Sequence, residues 1–156
     1  MKYIVALLLW VALGLANAST ADWVSQHAKI PKSQAERYVD IIDDVADHYG
    51  VDSRVVTALI MTESTFDYRA HGCGSHDPCY GLMQVKYRLH ARETRYKNLP
   101  LTSPLRNVDT GTRLLKSHLK DNGGDYFKAL QDYNASPKKK RYARKIISLS
   151  RKIPLS

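Results

Sequence analysis

The stretch Ser53–Phe66, SRVVTALIMTESTF, decides how this chain is read. Val55, Val56, Ala58, Leu59, Ile60 and Met61 are apolar on nearly every side of a helical projection, and a helix apolar all round is a buried one. Asp52 or Ser53 can cap its start by accepting from an orphan amide. The run stops at Thr62-Glu63-Ser64, which puts an ionisable group at the end of a buried rod. There, desolvation and the negative end of the helix dipole both disfavour a carboxylate. Both keep the proton on the acid near neutral pH, as a general acid requires. On spacing alone, however, an ordinary exposed Glu in a last helical turn accounts for the pattern better.

Working outward, the neighbouring segments are also helical. Ser33-Gln34-Ala35-Glu36 has the form of a capping box. Tyr38, Ile41, Ile42, Val45 and Tyr49 follow at helical spacing, and Gly50 is a natural stop. Gly72, Gly74 and Pro78 predict a loop over 67–80, followed by a short helix starting near Tyr80-Gly81-Leu82-Met83-Gln84. Segment 90–106, with Pro100 and Pro104, reads as a surface connection. Val108, Leu114, Leu115, His118 and Leu119 mark a long helix ended by Asn122-Gly123-Gly124. Tyr126, Phe127, Leu130 and Tyr133 mark a shorter one. The last runs from about Lys138 to Ser150, with Tyr142, Ile146, Ile147 and Leu149 inward. The fold class is all-α, with at most a minor β-element or irregular loop near residues 67–80.

The N-terminus predicts export. Lys2 gives a positive start, Ile4 to Leu15 is almost wholly apolar, and Ala16-Asn17-Ala18 is a small-x-small cleavage site, the layout of a signal peptide over residues 1–18. About 12 apolar residues fall short of the ~20 a spanning helix needs, and no later stretch qualifies. Residues 19–156 then form a single domain. Losing Lys2 takes the 24 basic residues to 23 against 15 acidic, a mature charge of +8. That sign favours polyanions or anionic surfaces, which for an exported chain means wall or headgroups; nucleic acid is not expected. Cys73 and Cys79 are the only cysteines. In an exported chain they read first as a disulfide, with a metal site of His71, Cys73, His76 and Cys79 as the rival.

Four blocks in order then carry a resemblance. Glu63-Ser64-Thr65-Phe66 resembles the Glu-Ser-x-Phe motif of the lytic transglycosylase family, in its soluble lytic transglycosylase-like, lysozyme-like catalytic domain. Gly81-Leu82-Met83-Gln84 resembles its Gly-Leu-Met-Gln motif, Asn107-Val108 with Gly111 its Asn-Ile-x-x-Gly segment, and Tyr133-Asn134-Ala135 its Ala-Tyr-Asn-Ala-Gly segment. Tyr142 stands where a final Tyr is usual. The blocks span roughly residues 38–147. The resemblance implies that Glu63 is the single catalytic acid and base. It implies that Ser64 supports the acid or the substrate's N-acetyl group, and that Met83 and Gln84 line a glycan cleft. Tyr133 and Asn134 would face Glu63 and orient it and the sugar, with Tyr142 as a further substrate-side residue.

Ordinary glycosidases flank the scissile bond with two carboxylates. In the resembling family the substrate supplies the nucleophile, which explains a single acid. Glu63 would protonate the oxygen between N-acetylmuramic acid and N-acetylglucosamine, then deprotonate the muramoyl C6 hydroxyl as it closes to a 1,6-anhydro product. No cofactor and no metal is required. The implied substrate is peptidoglycan glycan, and the implied setting is the periplasm or cell wall. The chain resembles specialised members that open gaps for a secretion, pilus or conjugation apparatus. Departures from the pattern lie at Asp132 and Ser136, which replace the usual Ala and Gly, and at Val85-Lys86-Tyr87, which replaces the usual Pro and Thr region. Two other readings stand beside this one: a lysozyme-type hydrolase using Asp67 or Asp77 to place water, and a non-catalytic wall-binding protein. His27, His48, His90 and His118 are scattered and read as structural. Lys138-Lys139-Lys140-Arg141 at a helix start opposes the dipole, which favours a binding role for the run.

Overall fold

The computed structural model describes residues 18–87, 95–134 and 136–155. Residues 1–17 of the expected leader, His90 and Ala135 lie outside the described residues. Helix α1 (Thr20–Ala28) is one the sequence reading assigned to no element. It starts in a reciprocal box: the Asp22 amide donates to Ser19 Oγ at 3.1 Å, and the Ser19 amide donates to Asp22 Oδ2 at 3.2 Å. Helix α2 (Lys32–Tyr49) has no side-chain cap, so the expected box at Ser33–Glu36 does not form. The reason is one of register. The helix already begins at Pro31, whose carbonyl accepts from Gln34 and Ala35 at 2.9 and 3.0 Å, and Ser33 falls inside its first turn. Gly50 ends α2 at φ 61°, where its missing Cβ removes the steric penalty.

Helix α3 (Ser53–Glu63) is capped by Asp52, which accepts from the Arg54 amide at 2.9 Å. Val56, Ala58, Leu59 and Ile60 are fully buried, so the apolar-all-round reading holds. After Glu63 the chain turns sharply, with Thr65 and Phe66 in the left-handed region at φ 52° and 62°. For a β-branched Thr that conformation costs on the order of 1–3 kcal/mol. The turn drives Phe66 into the core, where its ring stacks 5.9 Å from that of Tyr38.

The expected loop over 67–80 contains a hairpin, β1 (His71–Gly74) and β2 (Asp77–Tyr80), extended by β3 (Val85–Lys86) into an antiparallel β1-β2-β3 sheet. Register pairs Gly72 with Cys79 and Tyr80 with Val85. The short helix expected to start near Tyr80 is absent; Gly81–Gln84 is a turn. Gly81 and Gln84 both have positive φ, 74° and 47°, which no right-handed helix accommodates. Pro104 does not belong to a surface connection either. It opens α4 (Pro104–Asp121), at a position where its lacking N–H is no loss. Helices α5 (Tyr126–Asn134) and α6 (Lys139–Ser150) follow as expected. The architecture is thus mostly helical and lysozyme-like, with one small sheet.

Helix α3 lies between α2 and α6, while α4 packs on α2 and α5, and α5 on α6. Asn107 of α4, fully buried, joins the turn to the helices. Its Oδ1 accepts from the Met83 amide at 2.7 Å, and its Nδ2 donates to the carbonyls of Tyr80 and Leu101 at 2.8 and 2.9 Å. A Cβ on Gly81 would sit 2.5 Å from Asn107 Nδ2, and one on Gly111 would sit 2.6 Å from Met83 Sδ. The two glycines and the asparagine are therefore one packing device. A buried carboxylate on the same helix, Asp109, accepts from Arg95 Nε at 2.7 Å and from the Tyr49 hydroxyl at 3.1 Å.

Candidate active site

Glu63 is the last residue of α3 and faces a cleft of about 100 Å³. One wall is the hairpin and its continuation, through Cys73, Cys79, Gln84, Val85 and Lys86; the other is helical, through Leu114, Tyr133 and Asn134. Among the described residues lining it, Glu63 is the one carboxylate. Burial raises its pKa above the ordinary glutamate value, while the Tyr142 hydrogen bond and the positive charge of Lys145 pull it back. Burial is the largest of these effects, so the direction expected from an apolar helix end is the one found.

Tyr142 of α6 donates its hydroxyl to Glu63 Oε1. Its own ionisation is strongly disfavoured, first by burial and then by the neighbouring Glu63 and Tyr133. The phenol is therefore a donor that stays protonated. Tyr133 of α5 is held the same way by burial, and its hydroxyl donates to the Met83 carbonyl at 2.9 Å. Three elements distant in sequence, α3, the Gly81–Gln84 turn and the α5–α6 pair, meet here.

The other sequence-predicted residues are placed as follows. Ser64 Oγ donates to the Leu82 carbonyl at 2.8 Å and the Ile60 carbonyl at 3.2 Å, so this hydroxyl ties the end of α3 to the turn. Met83 sends its side chain inward, fully buried, with its sulfur accepting from Thr112 at 3.7 Å. Its backbone carbonyl, not its thioether, meets the site residue Tyr133. Gln84 lines the cleft and braces its wall: Nε2 donates to the carbonyls of Gly81 and Ala70 at 2.9 and 3.1 Å, and Oε1 fills the space a Cβ on Gly72 would need. Asn134 lines the cleft, and its Oδ1 accepts from Ser136 Oγ. The Ser at 136 thus closes the turn between α5 and α6.

Cys73 and Cys79 form a disulfide across the hairpin, Cα–Cα 5.4 Å. With both sulfurs bonded to each other, neither is a thiolate ligand, which removes the metal alternative built on them. Neither Asp67 nor Asp77 lines the cleft. Asp67 accepts from the Arg69 amide at 2.9 Å, and Asp77 pairs with Lys86 at 3.6 Å.

The sequence reading missed Lys145 and Lys86. Lys145 stands three residues after Tyr142, hence on the same helical stripe, and that spacing is the signal that could have found it. Asn107 was recognised as part of a block without a role; its three buried hydrogen bonds supply one.

A mostly helical domain holding one buried acid in a cleft beside a small sheet defines the class. Comparison with known proteins then gives the family. Residues 40–150 match the transglycosylase SLT domain. The chain is 32% identical over 100 residues to the membrane-bound lytic murein transglycosylase C of Histophilus somni (strain 2336), covering 59% of this chain and 26% of that protein. It is 33% identical over 90 residues to the protein of the same name from Klebsiella pneumoniae subsp. pneumoniae, covering 53% and 24%. The chain belongs to the transglycosylase SLT domain family. It spans about a quarter of the length of the curated relatives it matches. The described residues contain no helix long and apolar enough to cross a membrane.

Proposed function

We propose that this chain is a peptidoglycan lytic transglycosylase with Glu63 as acid and then base. One observation carries the reading: a single carboxylate in the cleft, raised in pKa by burial and hydrogen-bonded by a phenol. Glu63 gives its proton to the glycosidic oxygen as the bond from muramoyl C1 to that oxygen breaks, releasing the N-acetylglucosamine 4-hydroxyl. The N-acetyl carbonyl oxygen bonds to C1 and holds the cation. The Glu63 carboxylate then takes the proton of the C6 hydroxyl while O6 bonds to C1 and displaces the acetyl oxygen. The product is a 1,6-anhydro end, the acid is restored, and no water is consumed.

Tyr142 orients the carboxyl by donating to Oε1, which leaves Oε2 to face the glycosidic oxygen. Tyr133 and Ser64 hold the turn carrying Gln84 against α3, so the two walls keep their spacing. Positioning of this kind is where much of a rate enhancement resides. The membrane-bound relatives support a place in the cell envelope, reached in our reading through the leader at residues 1–18. The setting we assign is local wall opening for a secretion, pilus or conjugation apparatus. Mass spectrometry of digested peptidoglycan tests the chemistry: anhydro-muramoyl ends are expected, lost in Glu63→Gln. Reducing muramic ends would instead mean a hydrolase. A wild-type rate in Glu63→Gln would remove Glu63 from the chemistry. The setting is tested by complementing a deletion in the host: the Glu63→Gln gene should fail to restore apparatus assembly.

A further inference from the structure

Charge is laid out unevenly on this fold. Helix α2 carries five of the chain's 15 acidic residues, Glu36, Asp40, Asp43, Asp44 and Asp47, against Lys32 and Arg37. Their spacings of three and four place them on one stripe, away from the buried side that holds Ala35, Ile42 and Ala46. Four of the five are exposed and Asp43 is half-buried. The segment Lys138–Lys152, which includes α6, holds eight basic residues and no acidic one, all eight exposed. Among the described residues no ion pair engages any of these five acids or eight bases.

Both sets stand at the unfavourable end of their helix. Asp47 lies in the last turn of α2, beside the negative end of its dipole, with Asp43 and Asp44 one turn earlier. Lys138 to Arg141 crowd the start of α6, beside the positive end, where no side chain caps the helix. Like charges one turn apart also repel within each set. A surface of opposite charge laid against either helix would relieve both effects, and neither helix finds one within the described fold. Helix α3 packs between the two, and each turns its charged side to solvent.

We infer that the missing surface is a second copy of this chain, the acidic stripe of α2 on one copy docking on the basic side of α6 on the next. A second copy supplies both complements at once, and the dipoles agree, since the negative end of α2 meets the positive end of α6. A lipid surface would engage α6 alone and leave the α2 stripe unmatched. It would also need an apolar face, whereas Ala143 and Ile146 of α6 are turned into the core. The contact uses different patches on the two copies, so it is heterologous: every added copy leaves one α2 and one α6 open, and assembly continues into a ring or a filament. The net positive charge of the chain opposes association. At about 0.1 M salt, however, charges are screened over ~10 Å. Repulsion between whole bodies then fades, while side chains in contact keep their attraction.

Sedimentation of the wild type tests this without reference to catalysis. At about 0.1 M salt the mass should rise with concentration past that of a dimer, with a dissociation constant on the order of 0.1–1 mM, the scale of several exposed charge contacts. At about 1 M salt, where screening acts over ~3 Å, only monomer should remain. Asp40→Lys/Asp44→Lys/Asp47→Lys and Lys140→Glu/Arg141→Glu/Arg144→Glu should each stay monomeric alone, because each carries one sign of charge on both faces. Mixed one to one, they should associate again. A wild type that stays monomeric at about 0.1 M salt, an assembly that either variant retains, or a mixture that stays monomeric would overturn the inference. So would capture of the wild type by phosphatidylglycerol vesicles without self-association, which would give α6 to a lipid surface. Wild-type assembly that persists at about 1 M salt overturns it even if a variant fails to fold.

Discussion

Replacing Asn107 with Ala tests the packing argument most directly. Three buried backbone groups lose their partners at once: the Met83 amide and the carbonyls of Tyr80 and Leu101, now at 2.7 to 2.9 Å from the side-chain amide. A buried polar group left unsatisfied costs on the order of 1–3 kcal/mol. Because water can reach some of them after relaxation, the expected loss is about 3–5 kcal/mol, a large share of the ~5–15 kcal/mol that holds such a domain folded. Urea unfolding followed by circular dichroism measures it, with the slope m unchanged. Asn107→Asp sharpens the test. Its carboxylate still accepts from the Met83 amide but turns a negative oxygen toward two carbonyls. It should therefore be at least as damaging at neutral pH and partly recover under acid, when a protonated oxygen donates again. A loss below about 1 kcal/mol for Asn107→Ala would refute the claim that this residue holds the turn.

Three further outcomes follow from the site. Glu63 is raised in pKa by burial, so its charge destabilises the fold above the ordinary glutamate range and not below it. Glu63→Gln should abolish cleavage yet raise Tm at neutral pH, with the gain shrinking as pH falls through that range; a gain that grows under acid would contradict the assignment. Tyr142→Phe removes a hydrogen bond that holds the pKa of Glu63 down, so the alkaline limb of the kcat profile should move to higher pH; an acid-ward shift would contradict it. Cys73→Ser/Cys79→Ser opens a loop of sequence separation 6, for which chain entropy predicts a loss of about 2 kcal/mol. Because both residues wall the cleft, KM should rise more than kcat falls, and equal changes in the two would argue against a wall.

Much of the fold was legible because local rules agree with the tertiary result. The apolar run 55–60 could only be a buried helix, Gly50 only a stop, and Asn122-Gly123-Gly124 only an end. The reading failed where a choice among local options was settled from elsewhere. Ser33–Glu36 has the right letters for a cap, but Pro31 had already begun the helix. Ser19 and Asp22 form the box instead, next to a segment set aside as a leader. Gly81–Gln84 carries helix-forming residues, yet Asn107, 24 residues beyond Met83, captures the Met83 amide and bends the turn out of helical angles.

The sequence by itself determined the helical class, the buried rod ending in Glu63, the cysteine pair and the order of the four blocks. These rest on periodicity and residue type, which are local. The tertiary structure alone decided what Glu63 meets: Tyr142, 79 residues away, donating to it, Lys145 facing it from the same helix, and Met83 turned inward so that its carbonyl, not its side chain, serves the site. Such pairings depend on how α3, α5 and α6 pack, and packing is fixed by the sum of many small contacts across the chain rather than by any one stretch of it.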